Sequence, residues 1–453
     1  MSDSEQPISE RLVVLLIAAI QFINILDFMI VMPLGPDFTV ELGIPSNYIG
    51  LIAGSYTGSA AIAGVAGAFF LDRFDRRKAL AVAMLGLIGG TFLCALSWNL
   101  ETLIAARVIA GLFGGPATAL SLAVVADVVP RERRGRAMGT VMTSFSVASI
   151  AGVPFSLEIA HHFGWRAPFY TVAAMGLVIA TCALWVLPPM RIHLKAGMKP
   201  PGAAMFRMIT RPLPLLAYVA MMAMMFSAFT VIPNIPTYLV FNLGYDGESW
   251  LSALFTRIGL EPPSVLGPLY LMGGTLSLIV LQFVGRLTDR LGSATVSWVG
   301  AVLTIIVIYV WFIDYQPVVP ALACFVCFMG AMSVRGVPAR ALDTKIPLPS
   351  ERAAFMSMQS AVQHTSLALA AGLSSFVLVE DPVTKSLSGM ATMGWIAIVF
   401  AILLPTFVTL AERAVRKRDA VMSGGGKGHT GRISAAGAPV TAPVPARAPT
   451  APD

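Results

Sequence analysis

The chain has 453 residues, 56% of them hydrophobic and only 12% charged, and its mean hydropathy is +0.77. Soluble domains carry about twice that charged fraction, so the composition excludes a soluble globular protein and implies a polytopic membrane protein. The net charge of +7 does not make a nucleic-acid surface, because the basic residues sit in short segments between apolar runs, the pattern that orients membrane helices.

In chain order, residues 1–11 are short and mostly acidic and carry no cleavable leader, so the first apolar run is read as an uncleaved span. Runs of spanning length follow near 12–34, 48–71, 79–98, 102–125, 137–160 and 167–188, then near 213–240, 264–285, 292–313, 317–338, 353–379 and 387–411. The pattern predicts an all-α membrane protein of twelve transmembrane helices in two six-helix bundles, residues 12–188 and 212–411. A polar linker at 189–211, holding Arg191, Lys195, Lys199, Arg207 and Arg211, divides them. Residues 412–453 turn to Ser, Gly, Ala and Pro and are expected to be a disordered tail. With the N-terminus cytoplasmic, nearly all loop Lys and Arg residues fall on the inner side, so both termini are expected there. Gly50, Gly54 and Gly58, and Gly111 and Gly115, recur at four-residue spacing and predict close helix packing.

Asp27 is the only charge between Leu12 and Leu34. An ionised carboxylate deep in hydrocarbon costs roughly 2.5–3.5 kcal/mol on insertion scales, so it needs a cation, a proton or a polar interior. Asn24 shares its helix face. Asp27 lies seven residues from the outer end of its run, so about 10 Å deep, and Arg107, in the antiparallel fourth run, lies about 8 Å deep. The two can share a level and pair. The pair reads either as a proton-loading switch or as a static tie between helices.

Glu158, at the outer end of the fifth run with His161 and His162 beyond it, reads equally as a second proton site, an attractor of cations or an interfacial carboxylate. Pro233 and Pro236 must break the seventh run. Broken helices often line a pathway, which makes Phe226, Phe229, Asn234 and Tyr238, with Asn24 and Gln363, candidate substrate contacts. Arg335, near the inner end of the tenth run, reads as snorkelling to the cytoplasm. Intramembrane acids without a second buried Lys or Arg cluster lean the substrate charge to cationic or neutral. Cys94, Cys182, Cys324 and Cys327 all lie in apolar runs, and Cys324-x-x-Cys327 reads as packing. No metal ligand cluster, nucleotide loop or nucleophile–base motif stands out, so neither a cofactor nor enzymatic activity is expected.

The segment Gly67-Ala-Phe-Phe-Leu-Asp72-Arg73-Phe74-Asp75-Arg76-Arg77-Lys78 after the second run is echoed after the eighth by Gly285-Arg286-Leu287-Thr288-Asp289-Arg290-Leu291-Gly292, both sharing Asp-Arg followed by an apolar residue. This echo indicates two related halves and resembles the signature loop of the major facilitator superfamily. Arg107-Val-Ile-Ala-Gly111, the loop from Ala126 to Gly139, and Gly152-Val-Pro154 followed by Phe163-Gly-Trp-Arg166 are similar to its bacterial twelve-span efflux branch. The span-five motif is degenerate, with no Gly-Gly pair. The resemblance implies pseudo-symmetric bundles around a central cavity in a bacterial inner membrane, working as a monomer on protons and a small-molecule substrate. It implies that Asp27 and Arg107 couple protons and that Asp72, Arg73, Arg76, Arg77, Gly285, Asp289 and Arg290 latch the halves on the inner side. Proton-driven export is one implied activity; proton-coupled uptake of a sugar or metabolite and a non-transporting sensor are the others.

Overall fold

A computed structural model describes residues 9–130, 132–188, 190, 208–259, 261–347 and 351–424. Twelve long helices account for most of them: α1 (Glu10–Ile30), α2 (Ile49–Phe70), α3 (Arg76–Ala95), α4 (Leu100–Val128), α5 (Arg134–Phe163) and α6 (Ala167–Val186). The second set is α7 (Pro212–Asn242), α8 (Gly267–Leu291), α9 (Ser293–Ile313), α10 (Ala321–Asp343), α11 (Arg352–Val377) and α12 (Met390–Gly424). Eleven of these are long and apolar enough to cross a membrane among the described residues. The exception is α11, whose Ser357, Gln359, Ser360, Gln363, His364 and Thr365 dilute its apolar character. Much of its surface meets α2 and α7 instead of lipid.

Local chemistry sets the helix ends. Asp75 caps α3 by accepting from the Arg77 N–H at 3.0 Å, and Asn99 and Thr102 form a reciprocal capping box on α4. Gly164 and Gly292, at φ +82° and +87°, stop α5 and α8 in a conformation that favours glycine. The predicted break in α7 is present: a 3₁₀ turn at Ile232–Asn234 precedes a short helical turn at Ile235–Thr237 and a π turn at Tyr238–Asn242. A second π turn, Ala148–Gly152, interrupts α5 just before Pro154.

The pairing of helices repeats with a step of six. In the first half α2 and α3 pack on α4, α3 on α6, and α1 on α5 and α6; in the second, α8 and α9 pack on α10, α9 on α12, and α7 on α11 and α12. The contacts between halves obey the same symmetry, α2 against α11 and α5 against α8. Glycines permit the closest approaches: a methyl group on Gly50 would collide with the Ala371 carbonyl, and one on Gly111 with the Tyr56 carbonyl.

Two boundaries differ from the sequence reading. Helix α12 continues to Gly424, beyond the expected end near residue 411. Its extra turns are tied down, Glu412 accepting from Ala294 N–H at 2.7 Å and Arg418 donating to the carbonyls of Ile346 and Lys345 at 2.8 and 2.9 Å. Helix α8 runs through Leu291, so Asp289 and Arg290 lie in its last turn and not in a loop. Most of the 189–211 linker, and the tail after Gly424, fall outside the described residues.

Candidate functional site

Asp27 and Arg107 meet. Arg107 Nη1 lies 3.0 Å from Asp27 Oδ2, and both side chains are fully buried. The second carboxylate oxygen accepts from Thr91 Oγ1 at 2.7 Å. The guanidinium sits 4.4 Å above the Tyr56 ring, a cation–π contact inside a desolvated helix bundle. Tyr56 in turn donates to Asn24 Oδ1, and Asn24 Nδ2 donates to Gly114 O and Thr118 Oγ1, each at 2.8 Å. Four helices of the first half, α1 to α4, thus converge on one polar cluster. Arg107 Nε and Nη2 have no acceptor there, so the guanidinium keeps donors in reserve.

The remaining candidates do not gather into one wall. Phe229 approaches Phe28 across the halves at 6.1 Å, beside Asp27, whereas Phe226 meets Phe400 in a tilted contact at 4.7 Å within the second half. Tyr238 donates to Trp311 O at 3.4 Å. Asn234 is fully buried with both amide atoms unpartnered. Gln363 is half-buried on α11. Arg335 departs from the sequence reading: it is 1% exposed, and its Nη1 donates to Ser227 Oγ at 2.6 Å. The tenth helix extends to Asp343, which puts Arg335 too deep to reach water from the helix end.

Glu158 bridges the halves. It accepts from Ser264 N–H at 3.0 Å, and His162 Nε2 lies 3.2 Å from it while His162 Nδ1 lies 3.4 Å from Glu261. At the same end Ser46 Oγ donates to Lys385 O at 3.0 Å, Ser46 N–H donates to Glu380, Asn47 reaches Ser375 O at 3.4 Å, and Gly35 abuts Thr237. Among the described residues, the hydrogen bonds that cross between the halves gather here. The opposite, basic end carries Arg73, Arg76, Arg77, Arg290 and Arg416.

At that basic end two of the expected latch residues, Arg76 and Arg77, reach partners in their own half. Arg76 pairs with Asp127 of α4, and Arg77 donates to Leu184 O of α6. Asp289, Arg290, Lys345, Glu412 and Arg416 border a cavity of about 330 Å³. A Cβ on Gly285 would meet open space. The side chain of Asp72 lies outside the described residues. Thr91, Tyr56 and Thr118 escaped the sequence reading because a lone hydroxyl in an apolar helix carries no signal of its neighbour. The only clue was that each lies on a helix near an intramembrane charge.

The family model described as Major Facilitator Superfamily matches residues 17–371. An MFS-type transporter of Bacillus subtilis, YtbD, is 25% identical over 388 residues, 84% of this chain and 91% of the relative. A chloramphenicol resistance protein of Streptomyces lividans is 26% identical over 314 residues, 62% of this chain and 79% of the relative. Among solved structures, a D-xylose–proton symporter superposes with a TM-score of 0.66 at 15% identity, covering 89% of this chain and 97% of that one.

Proposed function

The chain belongs to the Major Facilitator Superfamily and is a membrane transporter, not an enzyme; we propose that it is a proton-coupled antiporter exporting a small amphipathic molecule by alternating access. The observation that carries this reading is the Asp27–Arg107 pair, sealed in the first half beside the seam where Phe28 meets Phe229. A pair whose only work is to tie helices together is matched by packed hydrophobic side chains. A carboxylate held by a guanidinium that can swing away instead gains a proton when the guanidinium finds another acceptor. The export direction is supported by the chloramphenicol resistance protein among the relatives. Proton-driven uptake is the second reading, favoured by the likeness to the xylose–proton symporter.

In this reading the basic end is cytoplasmic, the protein works as a monomer in a bacterial inner membrane, and the structure is the inward-facing state, closed where Ser46, Glu158 and Glu380 join the halves. Asp72, Arg73, Arg76, Arg77, Gly285, Asp289 and Arg290 engage across the halves only when the basic end closes. The test is a substrate screen in proteoliposomes under an imposed pH gradient, comparing the parent with Asp27→Asn. The variant is expected to lose gradient-driven transport while keeping exchange or binding. Gradient-driven transport at the parental rate would remove Asp27 from the mechanism, and accumulation of substrate on the proton-rich side in the parent is the signature of export.

A further inference from the structure

The six-helix step that relates α4 to α10 and α1 to α7 relates the Asp27–Arg107 pair to a second contact. Arg335 on α10 donates to Ser227 on α7, as Arg107 on α4 donates to Asp27 on α1. Across the same pair of helices the second half joins an arginine to a serine hydroxyl and the first half joins one to an acid, although Arg335 lies farther along α10 than Arg107 does along α4. Among the described residues no carboxylate lies within 4 Å of the Arg335 guanidinium. Its neighbours are neutral: Ser227 Oγ at 2.6 Å, Met224 O at 3.4 Å and Met332 Sδ at 2.8 Å. Its Nε has no acceptor among the described residues. A cation buried at 1% exposure with neutral oxygens and sulfur around it is costly, and intramembrane charges of this kind mark pathways. The backbone of Arg335 is pinned, because Gly300 on α9 packs directly on it. Ser227 and Phe229 lie two residues apart on α7 and so on different faces, Ser227 turned to α10 and Phe229 to Phe28 of the other half.

We propose that Arg335 binds a carboxylate group of the transported molecule, completing in the second half the ion pair that Asp27 completes in the first. This deepens the transporter reading and rests on it. The guanidinium is planar and presents its donors as a fork, and a carboxylate approaching Nε with a neighbouring donor makes two parallel charge-assisted hydrogen bonds. Ser227 then remains as a third donor to the anion. The substrate's charge and the transported proton are taken by different groups in different halves, so neither displaces the other by direct contact. The buried Arg335 also weighs against the substrate lean to cationic or neutral molecules, which rested on intramembrane acids without a second buried cationic cluster.

The experiment measures equilibrium binding to the full chain in nanodiscs, without a gradient, using benzoate, benzamide and benzylamine as size-matched anionic, neutral and cationic probes. The parent is expected to bind benzoate at least tenfold more tightly than either of the others. Arg335→Gln is expected to abolish that preference, and Arg335→Lys to restore part of it with weaker binding. The binding measurement uses no gradient and leaves the Asp27–Arg107 pair intact, so a failure of proton coupling, read in the transport assay, and a failure of anion binding are separable. Equal binding of the three probes by the parent, binding of none of them, or a benzoate preference that survives Arg335→Gln would overturn the assignment. Melting curves and size exclusion establish that each variant is folded, and the parental preference stands as a test even where Arg335→Gln is not.

Discussion

Asp27 holds its place through two donors, the Arg107 guanidinium and the Thr91 hydroxyl, and removing either partner of the ion pair strands the other in a dry interior. Arg107→Met should therefore cost about 3–5 kcal/mol, the range for breaking a buried pair by one partner. The double variant Asp27→Asn with Arg107→Met should recover much of that loss, because it leaves no unpaired charge. Thermal unfolding in detergent measures both, and additive losses would show that the two side chains do not stabilise each other. This pair was legible in the sequence, because a lone charge in each of two apolar runs, placed at one depth by the helical rise, leaves few other partners. Arg335 was not legible for an equally physical reason. Whether an arginine reaches water depends on where its helix ends, and the periodic pattern leaves that end uncertain by more than a turn.

Elements carry information that the residue pattern alone did not. The repeated glycines announced close helix packing, but not which helices meet. Gly111 lets α4 approach α2 inside one half, whereas Gly50 lets α2 approach α11 across the two halves. Gly111→Val should destabilise the protein by about 1–3 kcal/mol through overpacking, without favouring either conformation. Gly50→Val should instead wedge the joined end apart and raise the accessibility of residues beside the α2–α11 seam to a membrane-impermeant thiol reagent. Equal accessibility in the two variants would count against a seam that opens. The short helix Gly35–Glu41 supplies a pH dependence outside the spans. Asp37 keeps exposed surface, yet burial of its carboxyl by surrounding protein and the nearby Glu41 carboxylate push it up to about 6. The folded state thus holds this proton between the ordinary value of 3.8 and about 6, while the unfolded chain releases it. The parent loses stability across that window as pH rises. Asp37→Asn should match the parent near pH 4 and melt higher above pH 6, and a constant difference at both pH values would contradict this cause.

At the scale of the whole molecule, the two-fold relation was visible in the echo between residues 67–78 and 285–292, but the conformation was not. Which end closes depends on contacts between residues hundreds of positions apart, such as Ser46 with Glu380 and Asn47 with Ser375, and no local pattern encodes them. His162 shows what holds that end. Its two nitrogens face Glu158 of its own half and Glu261 beyond the seam, and only the imidazolium donates to both. If alternating access is the working cycle, this end must part on every turnover. A chain with its four native cysteines replaced, carrying Asn47→Cys and Ser375→Cys, should be locked by a short bifunctional thiol reagent, because Asn47 Nδ2 already lies 3.4 Å from Ser375 O. Locking should abolish net transport in proteoliposomes, a cleavable reagent followed by reduction should restore it, and either single cysteine should be unaffected. Transport that continues in the locked protein would mean that the halves do not separate here, and the structure joined at this end would not be one stage of a two-state cycle.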